Sequence, residues 1–295
     1  EVAVIDDLST GNLQFLSQDE ISKLTLIRED IISIDSSRLL DLMSGSQIVF
    51  HLAANADVRG GWENSFRDIE QNIIATHRIA DAARKSDVKE LVFTSTGCVY
   101  GDSTLIPTPE SEPFPIQTSL YGASKVAAEG LLSSYAANGA FKVTALRFVS
   151  VLGENYHHGH VIDFVRKLRA DGSLLEILGN GRQKKSYINV KDCVEALVSL
   201  RGKSDFNVFN IGHRSYIEVQ ESAQLIAKFM GLQPQFQFGT ENRGWIGDNP
   251  FTFLDISEAE EQGWTPTISI EESIHETVTW LLKNQWVFDS PEYRK

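Results

Sequence analysis

The chain has 295 residues, 23% of them charged and 42% in the hydrophobic set, with a formal net charge of −13. That length can bury a sizeable core in one large or two unequal lobes, and the acidic balance excludes general nucleic-acid binding, which calls for a basic face. The two cysteines, Cys98 and Cys193, lie far apart without metal-type spacing, no apolar run reaches the roughly 18 residues of a membrane span, and no signal peptide is visible. The expectation is a cytoplasmic protein with no disulfide framework, no zinc site and no membrane anchor.

Residues 1–7, Glu1-Val2-Ala3-Val4-Ile5-Asp6-Asp7, read as a buried strand ending in acid. A strand this apolar needs a neighbour on each side. Residues 24–28 and 47–52 are further apolar runs of strand length, and 66–85 is a long helical pattern with Ile69, Ile73, Thr76, His77 and Ala80 at helical spacing. Residues 90–95 predict a strand, 120–137 a helix and 142–148 a strand, so the first half alternates in the manner of a parallel sheet wrapped by helices. In dinucleotide folds a glycine-rich phosphate loop follows the first strand and a carboxylate ends the second. Here the carboxylate is present without the loop, which leads us to expect that about 25 residues of such a fold precede Glu1. After Gly153 the pattern loosens into predicted helices at 161–170, 192–200, 217–230 and 270–282, strands at 174–178 and 208–211, and a turn at Gly179-Asn180-Gly181. The expected architecture is α/β: a Rossmann-type parallel sheet flanked by helices over 1–149, and a smaller mixed α/β substrate lobe over 150–295, with about 186–212 returning to the first domain.

Chemistry concentrates at Tyr121-Gly122-Ala123-Ser124-Lys125. Four residues apart on a helix, the phenol and the amine share a face. A phenol titrating near pH 10 is a poor base at neutrality, whereas a neighbouring ammonium favours the phenolate and makes it usable. Upstream, a buried strand runs into Thr94-Ser95-Thr96-Gly97-Cys98. Ligands of open α/β sheets gather at the carboxyl ends of strands, which places the Thr96 hydroxyl toward a ligand.

These motifs carry a resemblance. With Val4 to Asn12, His51-Leu52-Ala53-Ala54, Phe93 to Gly101, Leu146-Arg147-Phe148, Gly179 to Asp192 and Phe209 to Gly212, the sequence resembles extended short-chain dehydrogenases/reductases of the NAD-dependent nucleotide-sugar epimerase/dehydratase family, and most of all their UDP-glucose 4-epimerase branch. The resemblance implies Thr96, Tyr121 and Lys125 as catalytic residues. It implies NAD held by Asp6, Asp7, Thr10, Gly11, Asp30, Ile31, Leu52, Ala53, Ala54, Asn72 and Val149 together with Tyr121 and Lys125. Asp6 would accept hydrogen bonds from a free ribose diol and repel a 2′-phosphate, favouring NAD over NADP. A UDP-sugar substrate would meet Thr96, Ser150, His160, Lys185, Arg243 and Asp248. The resemblance further implies a homodimer built on the 66–85 and 120–137 helices.

Two departures bear on substrate choice: Ser150 stands where the family usually has Asn, and Tyr156-His157-His158-Gly159-His160 replaces its more common proline-containing loop. Lys185 also stands where the family usually has Arg, a point charge in place of a two-pronged fork. His157, His158 and His160 lack an acidic or cysteine partner at metal-ligand spacing, so no metal is expected. The expected reaction is C4 epimerisation of a UDP-hexose through a transient 4-keto sugar. A 4,6-dehydratase is disfavoured because Gly97-Cys98 replaces the Asp-Glu that performs elimination. Another nucleotide-sugar epimerase, or a reductase that releases its cofactor, is an alternative, though Asp6 disfavours a reductase dependent on NADPH. A non-catalytic NAD-binding protein is disfavoured by retention of Thr96, Tyr121 and Lys125. An inactive truncated fragment is the further alternative.

Overall fold

In chain order the computed structural model, which describes residues 1–58, 60–114, 116–245 and 247–289, begins β1 (Ala3–Ile5), α1 (Gln18–Ser22), β2 (Thr25–Ile27), α2 (Ser36–Met43), β3 (Ile48–His51). It goes on through α3 (Ser65–Asp68), α4 (Ala75–Lys85), β4 (Glu90–Thr96), α5 (Leu120–Ala137) and β5 (Lys142–Phe148). The later elements are β6 (Ser150–Leu152), α6 (His160–Ala170), β7 (Leu174–Ile177), β8 (Lys184–Lys185), β9 (Tyr187–Asn189), α7 (Val190–Ser199) and β10 (Phe206–Ile211). Last come β11 (Ile217–Glu218), α8 (Val219–Phe229), β12 (Gln235–Phe238), β13 (Phe251–Thr252), α9 (Ser257–Glu261) and α10 (Ile270–Lys283). The chain divides into two compact units, the first made of residues 1–95, 119–145 and 202–207, the second of 96–118, 146–201 and 208 onward.

A parallel four-stranded sheet in the order β10-β5-β4-β3, flanked by helices, is the scaffold. Leu91, Val92 and Phe93 of β4 are wholly buried, as a continuous apolar run predicts for an inner strand covered on both faces. β3 lies at the sheet edge, with Ile48 and Phe50 exposed. β1 pairs in parallel with β2, Ala3 opposite Thr25 and Ile5 opposite Ile27, as a separate two-stranded sheet. Val4 and Ile5 of β1 are half-buried and Val2 is 61% exposed, where the apolar run predicts a buried strand.

The helix expected over 66–85 is present but not uniform. Between α3 and α4 the residues Ile69–Ile74 form a widened, π-type turn. Thr76 Oγ1 donates back to the carbonyl of Asn72 at 2.6 Å, the i−4 bond through which a hydroxyl competes with the helix ladder. α5 has the bounds its pattern predicts. Ser119 caps it by accepting the Gly122 amide at 3.0 Å, and Gly139 at φ +73° follows its end.

The second unit is built on apolar faces of α6, α8 and α10, whose Val161, Val165, Ile226, Ile274, Val278 and Leu281 share one core with Leu175 of β7. Its short strands form the sheets β11-β8-β13, β12-β7 and β6-β9. α7 begins at Val190, two residues before its predicted start, because the Asn189 side chain accepts the Lys191 amide and caps it there. Of the predicted 217–230 helix, Ile217 and Glu218 are spent on β11, which pairs antiparallel with β8, and the helix proper starts at Val219. At the turn, Gly179 has φ +72°, and a Cβ there would stand 2.8 Å from the Arg243 carbonyl oxygen, so only glycine fits without strain.

Candidate active site

In the first unit, α5 packs its polar strip inward. Lys125 is 2% exposed, and its Nζ donates to the carbonyl of Thr94 at 2.8 Å, 4.6 Å from the centre of the Phe93 ring. Burial pushes the Lys125 ammonium down to about 8, and the charge of Glu129 works in the opposite direction. Tyr121, one turn earlier on the same face, is half-buried. Glu129, one turn later, is buried and accepts a short hydrogen bond from Ser95 Oγ. Ser95 and Thr94 are neighbours on β4, so consecutive residues of one strand grip consecutive turns of the helix.

Asn72 is turned into the same unit and fully engaged there. Its Oδ1 accepts the Asn55 amide at 2.8 Å, and its Nδ2 donates to Ser124 Oγ at 2.8 Å and to the Asn55 carbonyl at 3.2 Å. Asn55 Nδ2 in turn donates to Asp68 at 2.8 Å. Burial pushes the Asp68 carboxyl up, and its Oδ2 has no partner among the described residues. Asn72 thus ties the loop after β3 to α5. That loop carries Leu52 and Ala53, both exposed, and the half-buried Ala54.

At the end of β1, Asp6 Oδ1 accepts the Leu8 amide at 2.7 Å, with Leu8 at φ +55°. The chain then curls so that a Cβ on Gly11 would lie 3.1 Å from the same carboxylate, a cradle that glycine alone leaves open. Asp7 and Thr10 are exposed on this loop. After β2, Asp30 accepts the Ile32 amide at 2.9 Å, and Arg78 on α4 fixes the segment by donating to the Ile31 carbonyl at 2.7 Å.

In the second unit, Thr96 ends β4 and its Oγ1 accepts the Cys98 amide at 3.1 Å, which starts a tight turn over Gly97–Tyr100. Burial pushes the Cys98 thiol up. Val149 is buried and Ser150 exposed at the start of β6. His160 opens α6 and faces the unit's interior. Its Nε2 lies 2.8 Å from Ser222 Oγ, and its ring stacks on Tyr187 with centroids 4.9 Å apart. His157 and His158 meet edge to face at 4.8 Å. Lys185 Nζ donates to Asp248 at 2.7 Å and also to the Asn249 carbonyl. The second Asp248 oxygen accepts the Gly244 amide at 2.9 Å. Arg243 donates to the Asp248 carbonyl and, at 2.7 Å, to Asp102. Lys185, Arg243 and Asp248 are therefore one cluster, while Ile246 of the same motif lies outside the described residues.

Sequence reasoning passed over Glu129, Ser95 and Asp102. Glu129 had a signal, since it continues the four-residue spacing of Tyr121 and Lys125. Asp102 and Arg243 are 141 positions apart and offered none.

A family model described as the NAD dependent epimerase/dehydratase family matches residues 1–212. The chain belongs to that family. A relative from Mycolicibacterium smegmatis named UDP-glucose 4-epimerase is 31% identical over 288 residues, 95% of this chain and 90% of the relative. The crystal structure of a UDP-galactose 4-epimerase superposes with a TM-score of 0.84 at 32% identity, covering 97% of this chain and 92% of that one. The Bacillus cereus UDP-glucuronic acid 4-epimerase, solved with UDP-glucuronic acid and NAD, superposes at 0.83 with 26% identity over 96% of this chain and 91% of that one.

The cofactor of an NAD-dependent epimerase/dehydratase fits the first unit. The open Gly11–Asp6 cradle presents a carboxylate, an acceptor set suited to the two hydroxyls of an unphosphorylated ribose. The buried Lys125 lies one helical turn from Tyr121 on α5.

Proposed function

We propose that this epimerase/dehydratase family member interconverts UDP-hexoses at C4, of the UDP-glucose/UDP-galactose type. The observation that carries the proposal is the Lys125 ammonium, buried and held at Thr94 one helical turn from Tyr121. In it, Asp6, Asp7, Thr10, Gly11, Asp30, Ile31, Leu52, Ala53, Ala54 and Val149 hold NAD, and Asn72 ties the loop that carries Leu52, Ala53 and Ala54 to α5. NAD, when bound, would supply the hydride chemistry at the sugar C4. Tyr121, as phenolate, takes the proton of the sugar C4 hydroxyl and gives it back after the 4-keto sugar has turned over. Lys125 stabilises that phenolate. Thr96 hydrogen-bonds the sugar, and Ser150 lines the substrate side.

Lys185 has three N–H donors, two of them used by Asp248 and Asn249. In the proposal its remaining donor, with Arg243, meets the diphosphate, and Asp248 aims the ammonium. Elimination of water is disfavoured by the chemistry beside Thr96. Gly97 has no functional group, and the Cys98 thiol, pushed up by burial, is a poor acid–base group at neutral pH.

The test is to supply UDP-galactose and NAD to the purified protein and identify the sugar products. UDP-glucose is expected from the wild type and not from Tyr121→Phe. A 4-keto-6-deoxy sugar would overturn the epimerase assignment.

A further inference from the structure

Tyr121, Lys125 and Glu129 recur every four residues along α5, so their side chains follow one slowly turning strip. Lys125 and Glu129 are buried, at 2% and 3% exposure. A carboxylate is almost never buried to this degree without compensation. Ser95, itself 5% exposed, donates one hydrogen bond to it, and Lys125 stands one turn earlier on the same strip, its proton favoured by the Glu129 charge. Among the described residues, the other groups in contact with Lys125 supply no charge. Thr94 offers a carbonyl and Phe93 a ring face, and His51 on β3 is kept neutral, its imidazole pushed down to about 3 by burial and then by Lys125 itself.

We infer that Glu129 is a positioning residue of the reaction: anchored by Ser95, its carboxylate keeps the buried Lys125 charged and set for Tyr121. This rests on the function proposed above. A chain of three groups follows. β4 fixes Glu129 through Ser95 and Lys125 through Thr94, Glu129 opposes the loss of the Lys125 proton that burial favours, and the retained ammonium stabilises the Tyr121 phenolate. Glu129 touches neither sugar nor cofactor in this scheme.

Glu129→Gln isolates the charge, because the amide oxygen still accepts from Ser95 and the side chain keeps its shape. In protein labelled with 15N at lysine Nζ, the Lys125 signal, assigned by its loss in Lys125→Arg, is titrated. The midpoint is expected near 8 in the wild type and about one unit lower in Glu129→Gln. Glu129→Asp, which retains the charge, is expected to restore most of the shift. The acid limb of the kcat/KM profile is expected to move to higher pH in Glu129→Gln, because an uncharged lysine no longer favours the phenolate.

A folded Glu129→Gln whose Lys125 midpoint and acid limb both match the wild type overturns the inference. Should that variant not fold, Ser95→Ala is titrated instead. It releases the carboxylate without removing either charge and is expected to lower the midpoint by a smaller amount, and no change would overturn the inference equally. Failure of the functional proposal shows differently: no nucleotide sugar is turned over, while the Lys125 midpoint still responds to Glu129.

Discussion

His51 offers the most quantitative test of the first unit's polar core. It is 2% exposed, and its Nε2 lies 2.8 Å from Thr76 Oγ1. Thr76 gives its own proton to the Asn72 carbonyl, so His51 must be the donor, which fixes the Nε2–H tautomer. Nδ1 then carries a lone pair with no partner among the described residues, and protonating it would bury a cation near Lys125. Burial first, and Lys125 second, push the imidazole from 6.5 to about 3. A base whose folded pKa is lowered contributes stability above its unfolded value and loses it as pH falls. Between 6.5 and 3 the unfolded chain binds the proton that the folded chain refuses. Each pH unit in that window costs about 1.4 kcal/mol, so between pH 7 and pH 5 this one group removes about 2 kcal/mol. His51→Gln retains a donor for Thr76 and does not titrate. Urea unfolding free energies at pH 7 and pH 5 should therefore fall by about 2 kcal/mol more in the wild type than in His51→Gln. Equal losses in the two proteins would refute the assignment of a neutral, Nε2-protonated His51.

Tyr121→Phe should lower kcat for the epimerisation by about 10²–10⁴-fold with the fold intact by circular dichroism, as expected for a lost general base. Asp248→Asn leaves Lys185, only 15% exposed at its side chain, without its counter-charge, and should cost about 3 kcal/mol in a denaturant titration. It should also raise the KM for a UDP-sugar. Gly179→Ala should destabilise by on the order of 2 kcal/mol, because a positive φ is joined by a Cβ 2.8 Å from a backbone oxygen. Gly231→Ala, with a similar φ but nothing within 4 Å, should cost only about 1 kcal/mol in the same titration.

Much of the scaffold was legible because its signals are local. The apolar run of β4 and the capped strip of α5 identify an inner strand and a core-facing helix without tertiary knowledge. The widened turn at Ile69–Ile74 was not legible, since it arises where Thr76 bonds back to Asn72 and Asn72 reaches Ser124, 52 positions away. For the same reason a cofactor-side role predicted for Asn72 from its motif says nothing of the loop it holds. At the candidate site the four-residue spacing exposed Tyr121 and Lys125 at once. The pairings of Lys185 with Asp248 and of Arg243 with Asp102 join positions too distant for any spacing rule.

In the proposed reaction Tyr121 and Lys125 serve a reversible oxidation at C4 of a UDP-hexose. Its most direct measurement uses UDP-galactose carrying deuterium at C4, incubated with the protein and NAD in ordinary water and followed by mass spectrometry and NMR. UDP-glucose that retains the deuterium at C4 is expected, because the hydride leaves and returns within one cycle. Washout of that deuterium into solvent, or accumulation of a 4-keto-6-deoxy product, would contradict it.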